Sequence, residues 1–388
     1  MTEAPVLSLG DIAFYWRMLD RYPPVADGMP AFLPFDFSVD AALGLVIQRR
    51  NPLVLAWLKR VYELDSNVGY LQEGHALAEK YGTDFLDFMR NSLLGDAAGG
   101  RRIFEVGCGG GYLLARLATA GHDVAGIDPS PVAARVAEKA GFAMFREFYP
   151  AESFRERADV IFHYDVLEHV EDPVAFLRAH HRNLTEAGHI VIAVPDCTES
   201  ITRGDISMVI HEHLNYFDGE SLAATVRAAG FSPMRVERSR YGNVLYCLAS
   251  RGASTASAAG AQAAGRGKFA RFASKVSDAR ARFREFAEPV LADAQASLAL
   301  YVPLRLIPYA CGLGKAGFRF FDDDPGVRGK YFDGFNVPVE GFEDFVRNPT
   351  THVVIGSFAF AEAIGRRIRE NVRAPVTMAT LRELAPDE

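Results

Sequence analysis

Apolar residues along this chain keep two rhythms, short continuous runs and stretches with apolar positions three or four apart, and between residues 102 and 250 the two alternate. That alternation predicts buried parallel strands joined by helices that cover the sheet faces, a doubly wound α/β domain. Ile103 to Val106 is the first predicted strand and Tyr112 to Ala118 the helix after it. Asp123 to Ile127 is the second strand, Pro129-Ser130-Pro131 opens a helix running to Ala140 with Gly141 as its stop, and Phe142 to Phe145 is a short third strand. Ala158 to His163 and Ile190 to Val194 are the fourth and fifth strands, separated by a helix from Val174 to Asn183. A helix from Ser221 to Ala229, stopped by Gly230, leads to Pro233 to Glu237 and Asn243 to Ala249, close enough to pair as an antiparallel hairpin at the sheet edge.

The flanks read differently. Residues 1–68 are first aromatic and proline-rich, with Tyr22-Pro23-Pro24 and Phe32-Leu33-Pro34-Phe35, then suggest short strands or helices from Ala41 to Leu64. They form an N-terminal accessory region without evident chemistry. Residues 69–250 are the central domain, entered by a helix within Tyr70 to Leu94 whose Leu77, Tyr81, Phe85, Phe88 and Met89 stand at helical spacing. Arg251 to Lys268 is rich in Ala, Gly and Ser and predicts a flexible linker. A helix from Phe269 to Leu298 then opens a smaller C-terminal α/β domain, residues 269–388. Its strands are expected at Leu298 to Val302, Phe318 to Phe321, Val353 to Ile355 and Pro375 to Met378, and its helices at Phe342 to Arg347 and Phe360 to Asn371.

The first predicted strand runs into Gly107-Cys108-Gly109-Gly110-Gly111. Glycine takes positive φ and lets a ligand approach the backbone, and a helix start presents unpaired N–H groups. Asp128, at the tip of the second strand, is a carboxylate placed to accept from the two hydroxyls of a ribose. Together they imply an adenosine-like ligand. The dinucleotide fingerprint wants a third glycine where Tyr112 stands, which ranks a nicotinamide dehydrogenase last. Glu105, closing the first strand, suits a cationic or amine-bearing ligand. A glycine turn that only packs a helix on a sheet is the plainer alternative.

E-x-G-x-G-x-G followed by an acid after the second strand resembles the class I S-adenosylmethionine-dependent methyltransferases. The resemblance implies a Rossmann-like sheet, S-adenosylmethionine as cofactor, Glu105 near the cofactor's amino-acid end and Asp128 on its ribose. Gly107, Gly109, Gly111 and Pro129 would line the same cradle. Open α/β sheets bind ligands beyond the carboxyl ends of their strands, so Tyr164 and Asp165, after the fourth strand, should flank the methyl donor. His169 follows in Leu167-Glu168-His169-Val170, where it either orients substrate or makes structural hydrogen bonds.

His211-Glu212-His213-Leu214-Asn215-Tyr216-Phe217 is the more specific stretch. E-H-x-x-Y-F after the fifth strand, with a second α/β domain downstream, resembles the sugar C-methyltransferases that act on nucleotide-linked ketosugars. The likeness extends to Phe320-Phe321-Asp322-Asp323-Asp324-Pro325, Gly329-Lys330-Tyr331-Phe332 and Val337-Pro338-Val339. It implies His213 as general base and Glu212 as its partner. A carbon beside a carbonyl becomes nucleophilic when it loses a proton, and a neutral imidazole can take that proton. The rival readings are O-methylation of a small hydroxylated metabolite and a non-catalytic cofactor- or sugar-binding scaffold. His163, His169, His211 and His213 offer imidazole ligands, but their spacing is not diagnostic of a metal site and no metal is assigned. Two departures stand out: that family commonly carries an N-terminal zinc module of paired cysteines, whereas no cysteine precedes Cys108 here, and Val302 to Pro308 has no glycine where a glycine-rich turn is usual.

Composition narrows the partners. With 388 residues and 49% hydrophobic content the chain can bury two or three cores, and a formal charge of −7 argues against nucleic-acid binding through overall charge. The four cysteines, Cys108, Cys197, Cys247 and Cys311, form no C-x-x-C pair and read as reduced cytoplasmic thiols. Glu3 and Asp11 precede the first arginine, unlike a signal peptide, and the apolar runs are too short to span a membrane. The expected acceptor is a small molecule, and the resemblance implies a nucleotide sugar.

Overall fold

The computed structural model describes residues 5–14, 17–22, 28–63, 76–95, 99–131, 133, 141–252, 261–313, 317–358 and 360–385. The chain divides into two compact units, one made of Val39–Thr198 with Glu212–Arg266, the other of Met1–Ser38, Glu199–His211 and Gly267–Glu388.

The first unit is built on seven strands: β1 (Arg102–Val106), β2 (Asp123–Ile127), β3 (Ala143–Phe145), β4 (Ala158–Tyr164), β5 (Leu184–Pro195), β6 (Phe231–Arg238) and β7 (Val244–Arg251). Their order across the sheet is β6-β7-β5-β4-β1-β2-β3. β1 to β5 pair in parallel, and β7 runs antiparallel to both β5 and β6, the predicted edge hairpin. The central strands read as continuous apolar runs because helices cover both faces. Alternate side chains serve the two layers: Phe104, Ile161 and Ile192 join one buried cluster, and Ile103, Phe162 and Val191 the other. Each such burial contributes about 1.5–3 kcal/mol, and truncating Phe162 to alanine would cost roughly 3–5 kcal/mol. The helix Ala76–Met89 carries Phe85, Phe88 and Met89 into the second cluster. Most of the helix expected from Pro131 to Ala140 lies outside the described residues.

Parallel register brings the functional ends together. Val106 sits opposite both Ile127 and His163, so β1, β2 and β4 finish at one level and their following loops share the same edge.

The second unit has five parallel strands, β8 (Leu298–Tyr301), β9 (Phe318–Phe321), β10 (Val339–Glu340), β11 (His352–Ile355) and β12 (Thr377–Thr380), in the order β10-β9-β8-β11-β12. Met1–Ser38 belong to this unit and the rest of the N-terminal region, from Val39, to the first: Leu7–Ala13 pairs antiparallel with Phe32–Asp40, and Met18–Leu19 pairs with Tyr331–Phe332. This differs from the accessory region expected over 1–68, because backbone pairing between distant segments leaves no local pattern.

The expected linker over 251–268 is corrected in part. The helix Ala261–Ala292 already begins within it, since alanine and glutamine are strong helix formers and the chain continues into a buried stripe. That stripe is Phe269, Phe272, Val276, Ala279, Phe283, Ala287 and Val290, all nearly inaccessible. Residues 253–260 lie outside the description. Among the described residues no helix is long and apolar enough to cross a membrane. All four cysteines are free thiols.

Candidate functional site

The glycine turn after β1 is tightly built. Gly107, Gly109 and Gly111 have φ of 75°, 45° and 68°, and the Gly107 N–H donates to the Ile127 carbonyl at 2.8 Å. A Cβ on Gly107 would lie 2.4 Å from Val166 Cγ2, so the glycine is required by both conformation and space. Nothing lies within 4 Å of a Cβ built on Gly109, whose backbone therefore faces open room. Gly111 caps the start of the helix Tyr112–Thr119.

Two carboxylates border this turn. Asp128 Oδ2 accepts from the Gly109 N–H and Oδ1 from the Ser130 N–H, both at 2.8 Å, so the acid shapes the loop that carries Pro129. Each oxygen keeps a lone pair for a further donor. Glu105 is 4% exposed, and its Oε2 has no hydrogen-bond partner. Burial, reinforced by the nearby Asp128 charge, raises its pKa well above the usual carboxylate range. A cationic group placed against Glu105 would relieve both conditions. The pair fits S-adenosylmethionine, whose ammonium suits Glu105 and whose ribose hydroxyls suit Asp128.

Tyr164 ends β4 and packs edge-on against Phe85, ring centroids 5.2 Å apart, while burial raises its pKa. Asp165 follows with an exposed side chain and φ of 53°, uncommon for a residue other than glycine, and its N–H donates to Ala193 O at 3.1 Å.

The short 3-10 turn Leu167–His169 then turns Glu168 inward. Glu168 is 1% exposed, and neither of its carboxylate oxygens has a hydrogen-bond partner. His169 Nδ1 donates to the Glu212 carbonyl at 2.9 Å, which leaves Nε2 as the nitrogen 3.5 Å from Glu168 Oε1. The His213 ring stands edge-on to His169 with centroids 5.0 Å apart. Donor atoms of Glu168, His169 and His213 all lie within 4.8 Å of one another, close enough for one divalent cation. Glu212, expected to assist His213, enters the cluster through its backbone carbonyl, and the carboxylate grouped with the imidazoles is Glu168.

This cluster is braced from behind. Arg50 donates to the carbonyls of Gln48, Leu214 and Glu171 and to Asn215 Oδ1, and Asn215 Nδ2 donates toward the carbonyls of Leu167, Glu168 and Val170. The remaining histidines weighed as ligands stand elsewhere. His163 is fully buried against Phe176 and His180, and His211 belongs to the other unit, edge-on to Phe14 and Phe35 with Nε2 donating to Leu33 O. Glu168, Arg50 and Asn215 were outside the sequence-derived set. One signal was available: the dipeptide Glu-His occurs twice, at 168–169 and 212–213. A separate cavity of about 320 Å³ opens between the helix Ala76–Met89 and the β6–β7 hairpin, lined by Asp84, Arg235, Arg240 and Tyr246 among others. Its Arg240 is paired with Asp84.

The family described as a methyltransferase domain matches residues 77–236. The chain is 32% identical over 165 residues to the ubiquinone biosynthesis O-methyltransferase of Ralstonia nicotianae, covering 37% of this chain and 67% of that protein. It is 39% identical over 100 residues to the enzyme of the same name from Cereibacter sphaeroides, covering 24% of this chain and 40% of the relative. Among solved structures, a Burkholderia thailandensis 1,6-didemethyltoxoflavin-N1-methyltransferase aligns with 54% of this chain and 96% of its own at 17% identity and a TM-score of 0.41. Magnesium protoporphyrin IX methyltransferase from Synechocystis aligns with 52% of this chain and 95% of its own at 18% identity and a TM-score of 0.38.

Proposed function

The chain belongs to the class I S-adenosylmethionine-dependent methyltransferases, and from that premise we propose that it methylates a small acceptor whose reacting atom must first lose a proton. The acceptor of choice is a carbon beside a carbonyl, in a nucleotide-linked ketosugar or a related carbonyl compound. The observation that carries this reading is the Glu168–His169–His213 cluster at the carboxyl end of β4, the strand next to β1 and its glycine turn.

What S-adenosylmethionine supplies when bound is an electrophilic methyl group, released as sulfur keeps the electrons of the broken S–C bond. The residues of this chain do the rest. Glu105 takes the cofactor's cationic end, Asp128 its ribose, and Gly107, Gly109 and Gly111 allow the close approach, with Pro129, Tyr164 and Asp165 bordering the cradle. The acceptor's proton is lost at the imidazole and carboxylate cluster, and His213 is the residue on which that loss depends. Glu212 holds His169 in one tautomer through its carbonyl. Donor and acceptor held in line need little further assistance.

A second reading, transfer to a hydroxyl oxygen, is favoured by the similarity to the ubiquinone biosynthesis O-methyltransferases. The same cluster would serve it. Incubation with methyl-labelled cofactor, a panel of nucleotide-linked ketosugars and a panel of phenolic acceptors separates the two, since the carbon spectrum of the product distinguishes a C-methyl from an O-methyl. Transfer to neither panel would count against both.

A further inference from the structure

We propose that Glu168, His169 and His213 hold a first-row divalent transition-metal ion. Glu168 is buried with both carboxylate oxygens unpartnered, and the Glu212 carbonyl fixes the His169 proton on Nδ1, so the Nε2 lone pair faces carboxylate oxygen Oε1 across 3.5 Å. A buried carboxylate without a hydrogen-bond partner, faced by the lone pair of a part-exposed imidazole, calls for a positive centre between them. A shared proton would draw them to about 2.6–3.0 Å. Ligands of one ion, at bonds of about 2.0–2.2 Å and angles between octahedral and tetrahedral, stand roughly 3.0–3.5 Å apart. The observed spacing is that of a coordination edge, and the His213 ring brings the third donor atom within 4.8 Å of both.

The surroundings agree. A ligating histidine characteristically donates its other ring N–H to a carbonyl or carboxylate, as His169 does. Asn215 and Arg50 pin the turn that carries Glu168 and the loop that carries His213, so the trio is held by backbone on both sides. Two imidazoles and one carboxylate suit manganese, iron, cobalt or zinc better than magnesium or calcium. Three protein ligands leave open positions. Resting on the proposed methyl transfer, those positions would take the acceptor's carbonyl or hydroxyl oxygen and a hydroxide; the ion would acidify the acceptor's proton and the hydroxide would accept it, forming water, with His213 acting as a ligand of the ion.

The test uses the full chain, stripped with a chelator and titrated calorimetrically with MnCl2 and with ZnCl2, without cofactor or acceptor. One equivalent of ion should bind, with affinity lowered about 10–100-fold or more in Glu168→Gln and in His169→Gln. Glu168→Gln preserves side-chain volume; circular dichroism checks its fold, and His213→Asn probes the site from the other loop should it fail. Wild-type protein that takes up no ion at millimolar metal, or variants that bind as tightly as wild type, would overturn the assignment. A proton shared between Glu168 and His169 is then what remains. Because binding is read without an acceptor, that result leaves the methyl-transfer reading standing, whereas ion binding without transfer to any acceptor sinks the reading and keeps the site.

Discussion

Asn215 accepts a hydrogen bond from Arg50 at 3.0 Å while its own amide nitrogen donates toward the carbonyls of Leu167, Glu168 and Val170. One carboxamide thus joins the turn after β4 to the loop bearing His213. Arg50 completes the brace with bonds to Leu214 O at 2.7 Å and Glu171 O at 2.6 Å.

Arg50→Ala removes the side-chain donor from the Glu171 carbonyl and from Asn215 Oδ1, while Leu214 O keeps the Gln48 N–H, and about 1–3 kcal/mol of stability should be lost. Arg50→Lys should recover little, because an ammonium cannot reproduce the guanidinium fork. Thermal melts of the three proteins check the first expectation, and turnover of Arg50→Lys checks the second. A lysine variant with wild-type turnover would mean that the brace does not position the cluster.

Gly107→Ala should abolish donor binding, since the added Cβ meets Val166 Cγ2 at 2.4 Å in a left-handed backbone. Gly109→Ala meets no protein atom, so it should fold yet bind S-adenosylhomocysteine more weakly by intruding on the ligand's space. Calorimetry on both, with Val166→Ala added to Gly107→Ala as a partial rescue, reads the difference. Equal affinity in Gly109→Ala and wild type would place the cofactor elsewhere.

Asp128→Asn removes a charged acceptor from the Gly109 and Ser130 N–H groups and from the ribose site. Hydrogen bonds to charged groups contribute about 1.5–3 kcal/mol, so S-adenosylhomocysteine affinity should fall roughly 10- to 100-fold. A Kd within twofold of wild type would remove Asp128 from the cofactor site.

Acid should destabilise the protein through its buried imidazoles. Burial lowers the pKa of His180 to about 4, that of His211 to about 4, and that of His163 well below its ordinary value. These groups stay neutral in the folded chain while the unfolded chain binds protons below about pH 6.5, so stability is full above that pH and declines toward pH 4. His180 alone accounts for roughly 3 kcal/mol over that range. Urea unfolding at pH 7.5 and pH 5 measures the slope, and His180→Phe should flatten it; an unchanged slope would assign the acid sensitivity to other groups.

The proposed donor cradle was legible because it is local. Glu105, the glycines and Asp128 fall within one strand-turn-helix-strand stretch, where positive φ and strand-end placement can be read from spacing alone. The proposed acceptor side was legible only as parts. Glu168-His169 and Glu212-His213 were visible as dipeptides, yet which of the ten histidines meet was not, because His169 and Glu212 lie 43 positions apart and are joined by one side chain to carbonyl bond. His163 and His211 have similar local company and end in separate cores. Glu168 stands beside His169 in the sequence, and only the turn buries it with both carboxylate oxygens lacking a hydrogen-bond partner.

By itself, then, the sequence determined the strand and helix alternation of the central sheet, the edge hairpin and the glycine turn, since apolar periodicity and glycine placement act over a few residues. Tertiary structure alone decided that residues 1–38 join the C-terminal unit and that Glu168, His169 and His213 share one small space. Both depend on backbone pairing and side-chain bonds between distant segments. Such contacts are selected by the packing of the whole chain, and no local pattern encodes them.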